Sequence, residues 1–546
     1  MTNPDFVEQL LDPAAHPEPP GSIELRQTHI SWLILTDRWV YKIKKPLDLG
    51  FLDFSDLDER HRFCHEEVRL NHRLSPDVYL GVVVLRRSGD RVIVGEIEED
   101  SDASSDGAVD YAVKMRRLPA DQWLIRRLED GTAGAESIER VARRIAAFHS
   151  SVGPTTADCP TGRLETVRFN TEENFAQVTA FVGRTLTTEQ FDVVRAYTRT
   201  YLGLREDLFR QREAEGRVLD GHGDLHAAQI CLEDGISFID CIEFNERFRI
   251  ADVAADVAFL AMDLDRHGRE DLRRVFVDTY VNETGDPGLR EILPFYMAYR
   301  AFTRGKVASF RFDQLEADRS DESGEARATA EGYFSLAQSY ASPSPVLIMT
   351  SGFMGSGKST VAEATARRLG CSWVRTDGVR KELAGLAPDE PAQEAWGEGI
   401  YSPEFTRRTY DEVHRRAAEA LSRGRCVILD GSYRKAHWRE EARRVAENAR
   451  VPFLAVEVVT PDQEVRSRLA GRSLGRSVSD GRLDLLDDQK RRFEPLAEIP
   501  PTERIEVQGS GPVDPVAYQV LEAVYRRSLG GDVTPVASPP GPGTPS

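Results

Sequence analysis

Short apolar segments with alternating polar positions mark the first part of the chain. The alternation in IELRQTHISWLILTDRWVYKIKK predicts three antiparallel strands, and the following RHRFCHEEVRLNHRLS has helical spacing. Two further apolar segments, RVIVGEI and YAVKMRRL, flank an acidic loop. After Asp121, apolar residues recur three and four positions apart, which predicts mainly helices up to about Tyr340. We therefore expect a small sheet followed by a helical region.

A different pattern begins after the Ser/Pro-rich segment SYASPSP. The continuous apolar segments VLIMT, CVILD and FLAVEVV alternate with helical stretches, which is typical of a parallel sheet with crossover helices. The last segment, GGDVTPVASPPGPGTPS, has almost no large apolar side chains, so a disordered tail is expected. These changes predict domains at residues 1–340 and 345–528, and a tail at 529–546.

Composition and charge narrow the classes of function. The 546 residues include 71 Lys and Arg against 90 Asp and Glu, a net charge of −19. Residues 341–546 contain 29 of each sign, so the whole excess lies in the first 340 residues. This acidity argues against nucleic acid and membrane partners, which need a basic surface. The beginning of the chain lacks the features of a signal peptide, and no apolar run is long enough to span a bilayer, so we expect a cytoplasmic protein.

The six cysteines are scattered along the chain, and none forms a pair at zinc-binding spacing. They therefore predict neither a cysteine metal site nor a disulfide framework.

The strongest chemical signal is a phosphate-binding loop between a predicted strand and a predicted helix. It fits the pattern G-x-x-x-x-G-K-[ST] and consists of Gly352, Phe353, Met354, Gly355, Ser356, Gly357, Lys358 and Ser359, with Thr360 next. Backbone N–H groups of such a loop bind phosphate oxygens, and the start of the helix adds positive charge. Lys358 is expected to reach the β- and γ-phosphates of ATP, and the Ser359 hydroxyl to bind Mg²⁺. We therefore predict a nucleotide site.

Two segments near this loop carry candidate partners. Asp430 ends the apolar strand of VILDGSY and is suited to the Mg²⁺ shell, although a strand-terminal Asp is also a common turn residue. Asp377 and Arg380 lie three residues apart in TDGVRKEL, on one face of a helix. Asp377 is expected to accept a proton from an attacking hydroxyl while Arg380 holds an anionic acceptor. The alternative is a helix-capping aspartate beside a solvated arginine.

Arginines are also concentrated in EVRSRLAGRSLGRS. They are Arg466, Arg468, Arg472 and Arg476. Arginines on a closing segment stabilise the charge of a phosphoryl-transfer transition state, and the alternative is a solvated basic face.

A second constellation lies in the first half of the chain. Asp224 in GHGDLH is followed by Gln229 and then by Asp240 after an apolar strand, which is the order of a protein-kinase-like site. Asp224 is expected to accept the hydroxyl proton, and Gln229 and Asp240 to hold Mg²⁺. Upstream, the strand lysine Lys42 is expected to pair with Glu67 and to grip the α- and β-phosphates.

Two further predictions and one alternative concern this second constellation. Lys44 is expected to face the same side of the strand as Lys42, and Glu243 is a candidate extra oxygen ligand for the metal. No glycine-rich cover precedes Lys42, which leaves open a pseudokinase that binds nucleotide without turnover.

The phosphate-binding loop, TDGVR and VILDGSY together resemble the small P-loop kinases, the group that includes gluconate kinase and zeta-type toxins. The resemblance implies an α/β P-loop NTPase domain with a parallel sheet like that of nucleoside monophosphate kinases. It implies Asp377 as the base, and Arg468 and Arg472 as lid arginines.

The earlier segments HGDLH, FID, RIAAFH and DVAADVAFLAMDL resemble the aminoglycoside-phosphotransferase-like kinases. This resemblance implies an α+β, protein-kinase-like bilobal domain with ATP between the lobes, and Asp256 as a structural aspartate. In this order the two modules resemble bacterial fusions of a phosphotransferase-like domain with an AAA-type P-loop kinase domain.

These observations predict an ATP- and Mg²⁺-dependent kinase that phosphorylates a hydroxyl of a small molecule, with the C-terminal site as the surer catalyst. Two alternatives remain: a 5′-hydroxyl nucleic-acid kinase, and a nucleotide-sensing regulator with an inactive N-terminal domain.

Overall fold

The computed structural model describes residues 4–533, apart from residues 49, 51, 99–106, 157–158, 234, 388–389, 391–397 and 473–482. Part of the predicted acidic loop (99–106) and most of the predicted tail (534–546) therefore lie outside the described residues. The chain forms two units, one made of Met1–Glu173 with Asp207–Arg304, and the other of Asn174–Glu206 with Gly305–Ser546. The domain boundaries expected from the sequence stay a prediction.

The first unit begins with a six-stranded antiparallel sheet in the order β1-β2-β3-β6-β4-β5. Its elements are helix α1 (Asp5–Gln9), β1 (Ile23–Gln27), β2 (Ser31–Thr36), β3 (Trp39–Lys44), helix α2 (Leu57–His72), β4 (Tyr79–Ser88), β5 (Arg91–Ile97) and β6 (Ala108–Arg116). The first three strands are those that the alternation predicts. Helix α2 begins after Asp56, whose carboxylate accepts hydrogen bonds from two backbone N–H groups of the first turn.

The region from Leu124 to Tyr340 is mainly helical, as the spacing predicts. Its helices are α3 (Leu124–Glu129), α4 (Ala135–Val152), α5 (Leu164–Val178), α6 (Thr188–Leu204), α7 (Glu206–Ala214), α8 (Glu246–Arg249), α9 (Val253–Arg266), α10 (Glu270–Thr284), α11 (Leu289–Ala317) and α12 (Ser323–Tyr340). Its short strands are β7 (Val218–Asp220), β8 (Ile230–Cys231), β9 (Ser237–Phe238) and β10 (Ile250–Asp252). The short strands frame the loops that contain Asp224 and Asp240.

The second unit contains a five-stranded parallel sheet in the order β12-β13-β11-β14-β15. Its strands are β11 (Leu347–Ser351), β12 (Ser372–Arg375), β13 (Val427–Asp430), β14 (Phe453–Val459) and β15 (Arg504–Gln508). The helices that follow β11 along the chain are α13 (Lys358–Leu369), α14 (Thr376–Leu383), α15 (Pro403–Ser422), α16 (Ala436–Ala449), α17 (Asp462–Arg472), α18 (Leu483–Arg492) and α19 (Val513–Ser528). The parallel sheet with crossover helices that the pattern predicts is confirmed in the second unit, and the first unit has the predicted small sheet followed by helices.

The central strand β11 explains where a ligand can bind in this sheet. All five of its residues are buried, since it lies between β13 and β14 with helices on both faces. The chain order of the strands reverses on the two sides of β11, and a crevice forms at the carboxyl ends of the strands at such a point.

Among the described residues, no helix is both long and apolar enough to cross a membrane.

Helix α6 belongs to this second unit although it comes from the first half of the chain. It packs against α13 and α19, and the rings of Tyr197 and Tyr525 lie 5.8 Å apart. Arg368 on α13 is fully buried. Its Nε donates a 2.9 Å hydrogen bond to Asp192 of α6, and one of its terminal nitrogens donates a 2.7 Å bond to Asp514 of α19. A buried guanidinium thus joins three helices of the unit.

We expect Arg368→Ala to lower the free energy of unfolding of the second unit by about 3 kcal/mol, because it empties a fully buried position and leaves the buried carboxylate of Asp192 with Arg195 but without its partner on α13. The neighbouring Arg367, which is 61% exposed and pairs with Glu189, offers a matched control. Arg367→Ala is expected to cost less than about 1 kcal/mol. Urea unfolding of the full chain, followed by circular dichroism, measures both variants, and equal losses would contradict this account.

Candidate functional site

Helix α2 and strand β3 bring a buried carboxylate to two lysines. Lys42 and Lys44 are two residues apart on β3, so both side chains lie on one face of the sheet. The two carboxylate oxygens of Glu67 each accept a 2.7 Å hydrogen bond, one from Lys42 Nζ and the other from Lys44 Nζ. Burial alone would raise the pKa of Glu67, but the two ammonium groups lower it to about 2. Glu67 is therefore ionised at neutral pH.

Residues that follow β9 extend this cluster. Lys42 Nζ also donates to Asp240, and Lys44 Nζ donates to Glu243. Gln229 Nε2 donates a 3.2 Å hydrogen bond to the second oxygen of Asp240, so the structure brings these two candidate metal ligands together. The carboxylate of Glu243 is buried against Lys44, and the structure therefore does not support the hypothesis that it binds the metal.

The loop that carries Asp224 is held in place by Asp256 of α9. The carboxylate of Asp256 accepts hydrogen bonds of 2.7 Å from His222 N and 2.9 Å from Gly223 N. Asp256 is itself buried and lies 3.4 Å from His149 Nε2. It acts as a positioning residue, since it fixes the backbone just before Asp224.

Asp224 lies beside a histidine of the same loop. His226 Nε2 and Asp224 Oδ2 are 3.4 Å apart. Burial alone would raise the pKa of Asp224, but His226 and the charge of Arg304 together hold it below its ordinary value. Asp224 is therefore ionised at neutral pH, which is the state that a general base requires.

In the second unit the phosphate-binding loop joins β11 to α13. Gly357 is the residue before the helix and has a φ of 94°, a left-handed conformation that favours glycine. The Ser356 hydroxyl oxygen is buried and has no hydrogen-bond partner among the described residues. An open hydroxyl at the start of a helix, whose first backbone N–H groups have no partner within the helix, fits an anionic ligand. The loop has the local structure of a nucleotide-binding P-loop.

The first residues of α13 face the end of β13. The Ser359 hydroxyl lies close to the carboxylate of Asp430, whose side chain is only 4% exposed. Burial raises the pKa of Asp430, although Ser359 and Lys358 partly offset that rise, and the nearby carboxylate of Asp377 adds to it. Lys358 Nζ donates a 2.6 Å hydrogen bond to the carbonyl oxygen of Phe353. The structure thus brings Lys358, Ser359 and Asp430 together.

Asp377 and Arg380 lie on the short helix α14, which follows β12. Asp377 is half-buried in its first turn. Arg380 is buried, and one terminal nitrogen donates hydrogen bonds of 2.6 Å to the Ile400 carbonyl and 3.1 Å to the Thr406 hydroxyl. Its Nε has no hydrogen-bond partner among the described residues. The role of Arg380 in holding an acceptor stays a prediction.

One of the two candidate lid arginines lies directly over the P-loop. The terminal nitrogens of Arg468 donate a 2.9 Å hydrogen bond to the Gly509 carbonyl and a 3.4 Å bond to the Gly355 carbonyl. Arg466 is 39% exposed and pairs with Asp462 and Asp487. Arg472 is the last residue of α17, and its side chain lies outside the described part of the structure, as does the whole of residue 476.

The P-loop also contacts α18 and the residue that follows it. The rings of Phe353 and Phe493 have centroids 5.0 Å apart, and Met354 N donates a 2.8 Å hydrogen bond to Gln489 Oε1. Thr360 is exposed and lines a cavity of about 300 Å³ beside the loop.

That cavity includes a segment that sequence reasoning missed. Gln508 at the end of β15 and residues 509 and 511–513 after it line the cavity together with Gly357 and Thr360. A Cβ atom on Gly509 would lie 1.9 Å from the Ser356 carbonyl oxygen, so only glycine fits there. The only signal in the sequence was the glycine pair of QGSGP after an apolar strand.

Comparison with known proteins agrees with this geometry. Residues 347–496 match a family model described as an AAA domain. The uncharacterized protein Rv2004c of Mycobacterium tuberculosis (strain ATCC 25618 / H37Rv) is 31% identical over 459 residues, which cover 83% of this chain and 87% of that protein. The chain belongs to the same family. An uncharacterized Mycobacterium bovis protein, Mb2027c, matches with the same identity and coverage.

Solved structures show weaker likeness. A gluconokinase from Sinorhizobium meliloti 1021 is 20% identical, covers 34% of this chain and 95% of its own, and has a TM-score of 0.25. A choline/ethanolamine kinase family protein from Mesorhizobium loti is 12% identical, covers 59% of this chain and 88% of its own, and has a TM-score of 0.35. Scores this low carry no functional argument. The AAA-domain match confirms the predicted P-loop domain in the C-terminal part of the chain.

We expect Gly509→Ala to weaken ATP binding at the P-loop by at least about 10-fold, because the added methyl group displaces the Ser356 carbonyl and with it the loop. Gly471→Ala is the matched control, since it adds a methyl group beside the same cavity with no atom within 4 Å of it. Titration calorimetry with ATP and Mg²⁺ measures both variants. Equal affinities would show that Gly509 does not shape the loop.

Proposed function

We propose that the protein is an ATP- and Mg²⁺-dependent phosphotransferase that transfers the γ-phosphoryl group of ATP to a hydroxyl of a small molecule. The C-terminal site is the main catalyst in this proposal, and the N-terminal site is a second kinase-like site.

One observation carries the proposal. Three neighbouring parallel strands, β12, β13 and β11, end at the same edge of the sheet. Asp377 follows the first, Asp430 ends the second, and the P-loop follows the third. A candidate base, a candidate metal ligand and a phosphate-binding loop thus lie together, which is the set of groups that phosphoryl transfer to an alcohol requires.

Each group of the C-terminal site has a distinct role. The carboxylate of Asp377 accepts the proton of the acceptor hydroxyl, whose oxygen forms the new bond to the γ-phosphorus as the bond to the β-phosphate oxygen breaks. Lys358 and Arg468 stabilise the negative charge on the transferred group, and Arg472 is proposed to join them. Arg380 holds a negatively charged part of the acceptor.

The residues present fit a magnesium ion. The Ser359 hydroxyl and the Asp430 carboxylate offer neighbouring oxygens at the P-loop. In the first unit Asp240 offers a carboxylate, and the Gln229 amide, whose Nε2 donates to Asp240 in this structure, would offer its oxygen once the amide has turned. Bound there, Mg²⁺ supplies charge neutralisation on the phosphates.

The N-terminal site supports binding of a second ATP. Lys42, held by Glu67, would contact the α- and β-phosphates, and Asp224 would act as the base. A regulatory function is the second candidate, because Lys42 and Gln229 both hydrogen-bond to Asp240 and so engage one of the proposed metal ligands.

We expect Lys358→Ala to reduce product formation from γ-labelled ATP by at least about 100-fold, because it removes the cation that stabilises the transferred group. Asp224→Asn is expected to leave unchanged those products whose formation depends on Lys358, since it alters the candidate base of the other unit. The acceptor mixture contains sugars, nucleosides and oligonucleotides, and labelled products are separated by chromatography. Lys435→Ala removes a lysine outside both sites and serves as the control.

Full activity of the Lys358→Ala protein would refute the C-terminal assignment. If both units bind ATP but no acceptor is labelled, the regulatory candidate replaces the catalytic one. Labelling confined to oligonucleotides would identify a nucleic-acid kinase instead.

A further inference from the structure

Three side chains that belong to neither nucleotide site converge on one point of the first unit. His61 and His65 are four residues apart on α2 and therefore lie on the same face of that helix. Glu98 follows β5 directly. One ligand atom from each lies within 4.8 Å of the others, and the actual separations are shorter still.

The three atoms form a closed triangle. His61 Nε2 lies 2.9 Å from Glu98 Oε2, His65 Nε2 lies 3.1 Å from the same oxygen, and the two nitrogens are 3.1 Å apart. The exposed fractions of the side chains are 15% for His61, 28% for His65 and 7% for Glu98. The cluster is thus sheltered yet reachable from solvent.

With Glu98 ionised, no placement of protons on the two histidines satisfies all three edges of the triangle. If both nitrogens carry hydrogen and donate to Glu98, the two N–H groups oppose each other. If one nitrogen is bare, its lone pair faces the carboxylate oxygen. A cation bound by all three lone pairs removes the repulsion along every edge at once. With metal–nitrogen distances of about 2.0–2.1 Å, a single ion contacts all three atoms from just above their plane.

We propose that His61, His65 and Glu98 bind a divalent transition-metal ion, with zinc as the best match. Two imidazoles and one carboxylate form a ligand set that zinc accepts, with a fourth position left for water. Magnesium and calcium prefer oxygen ligands only, so two histidines argue against them. The ring of His61 stacks on Tyr111 with centroids 4.0 Å apart, which limits how far this ligand can turn.

The position of this site gives it a structural consequence. His65 precedes Glu67 by two residues on the same helix, and Glu98 lies at the end of a strand of the sheet. A metal shared by these residues ties α2 to the end of β5. It therefore restricts the movement of the helix that carries Glu67 to the two lysines.

The experiment titrates the metal-stripped full-length protein with Zn²⁺ by calorimetry in excess Mg²⁺, which saturates sites made of oxygen ligands. We expect one zinc ion to bind per chain. We expect Glu98→Gln to weaken zinc binding by at least about 10-fold and His65→Ala by at least about 100-fold, because each substitution removes one ligand. Glu98→Gln keeps the shape of the side chain, so it is expected to fold normally.

His267→Ala removes a histidine outside the cluster and is the matched control, expected to keep the zinc affinity of the natural chain. Co²⁺ provides an independent readout, since its visible absorption intensifies in a tetrahedral site and should be lost in His65→Ala. Absence of zinc uptake by the natural chain would overturn the proposal. Equal affinity in Glu98→Gln, His65→Ala and the natural chain would also overturn it.

Discussion

A charge buried in protein must have a partner of opposite charge, and this constraint assembles both candidate sites. Glu67 is fully buried, and it stays ionised because two lysines of β3 donate hydrogen bonds to it. Those lysines also donate hydrogen bonds to Asp240 and Glu243, which belong to a segment far along the chain. Because each ion depends on the others, helix α2, strand β3 and the segment that contains Asp240 and Glu243 hold one another in position.

The second unit meets the same constraint with fewer charged side chains and with more backbone N–H groups. Its phosphate-binding loop offers N–H groups and an open serine hydroxyl, so an anionic ligand would replace the missing partner. Asp430 is buried next to Ser359 and Lys358, and burial raises its pKa, which a bound cation would reverse. The two units therefore differ: the first is already internally paired, whereas the second has open hydrogen-bonding groups at its P-loop.

Helix α2 shows how one element can serve two purposes. Its buried face presents Glu67 to the lysines of the sheet, while His61 and His65 lie on another part of its surface. A ligand bound by the histidines thus acts on the same rigid body that holds Glu67. Helix α6 is comparable in the second unit, where Asp192 on its surface pairs with the buried Arg368.

The amino-acid sequence was sufficient for the local features. Alternation and helical spacing predict the strands and helices, because periodicity reflects which face of an element is buried. The P-loop and the order of Asp224, Gln229 and Asp240 are likewise local patterns with a chemical reason. Contacts between distant residues are different. The pairing of Lys44 with Glu243, the approach of Gly509 to Ser356, the place of α6 in the second unit and the meeting of Glu98 with two histidines all depend on packing. The periodicity of the sequence does not predict these contacts. Each contact joins segments that are far apart along the chain, and that separation does not show how close they lie in space.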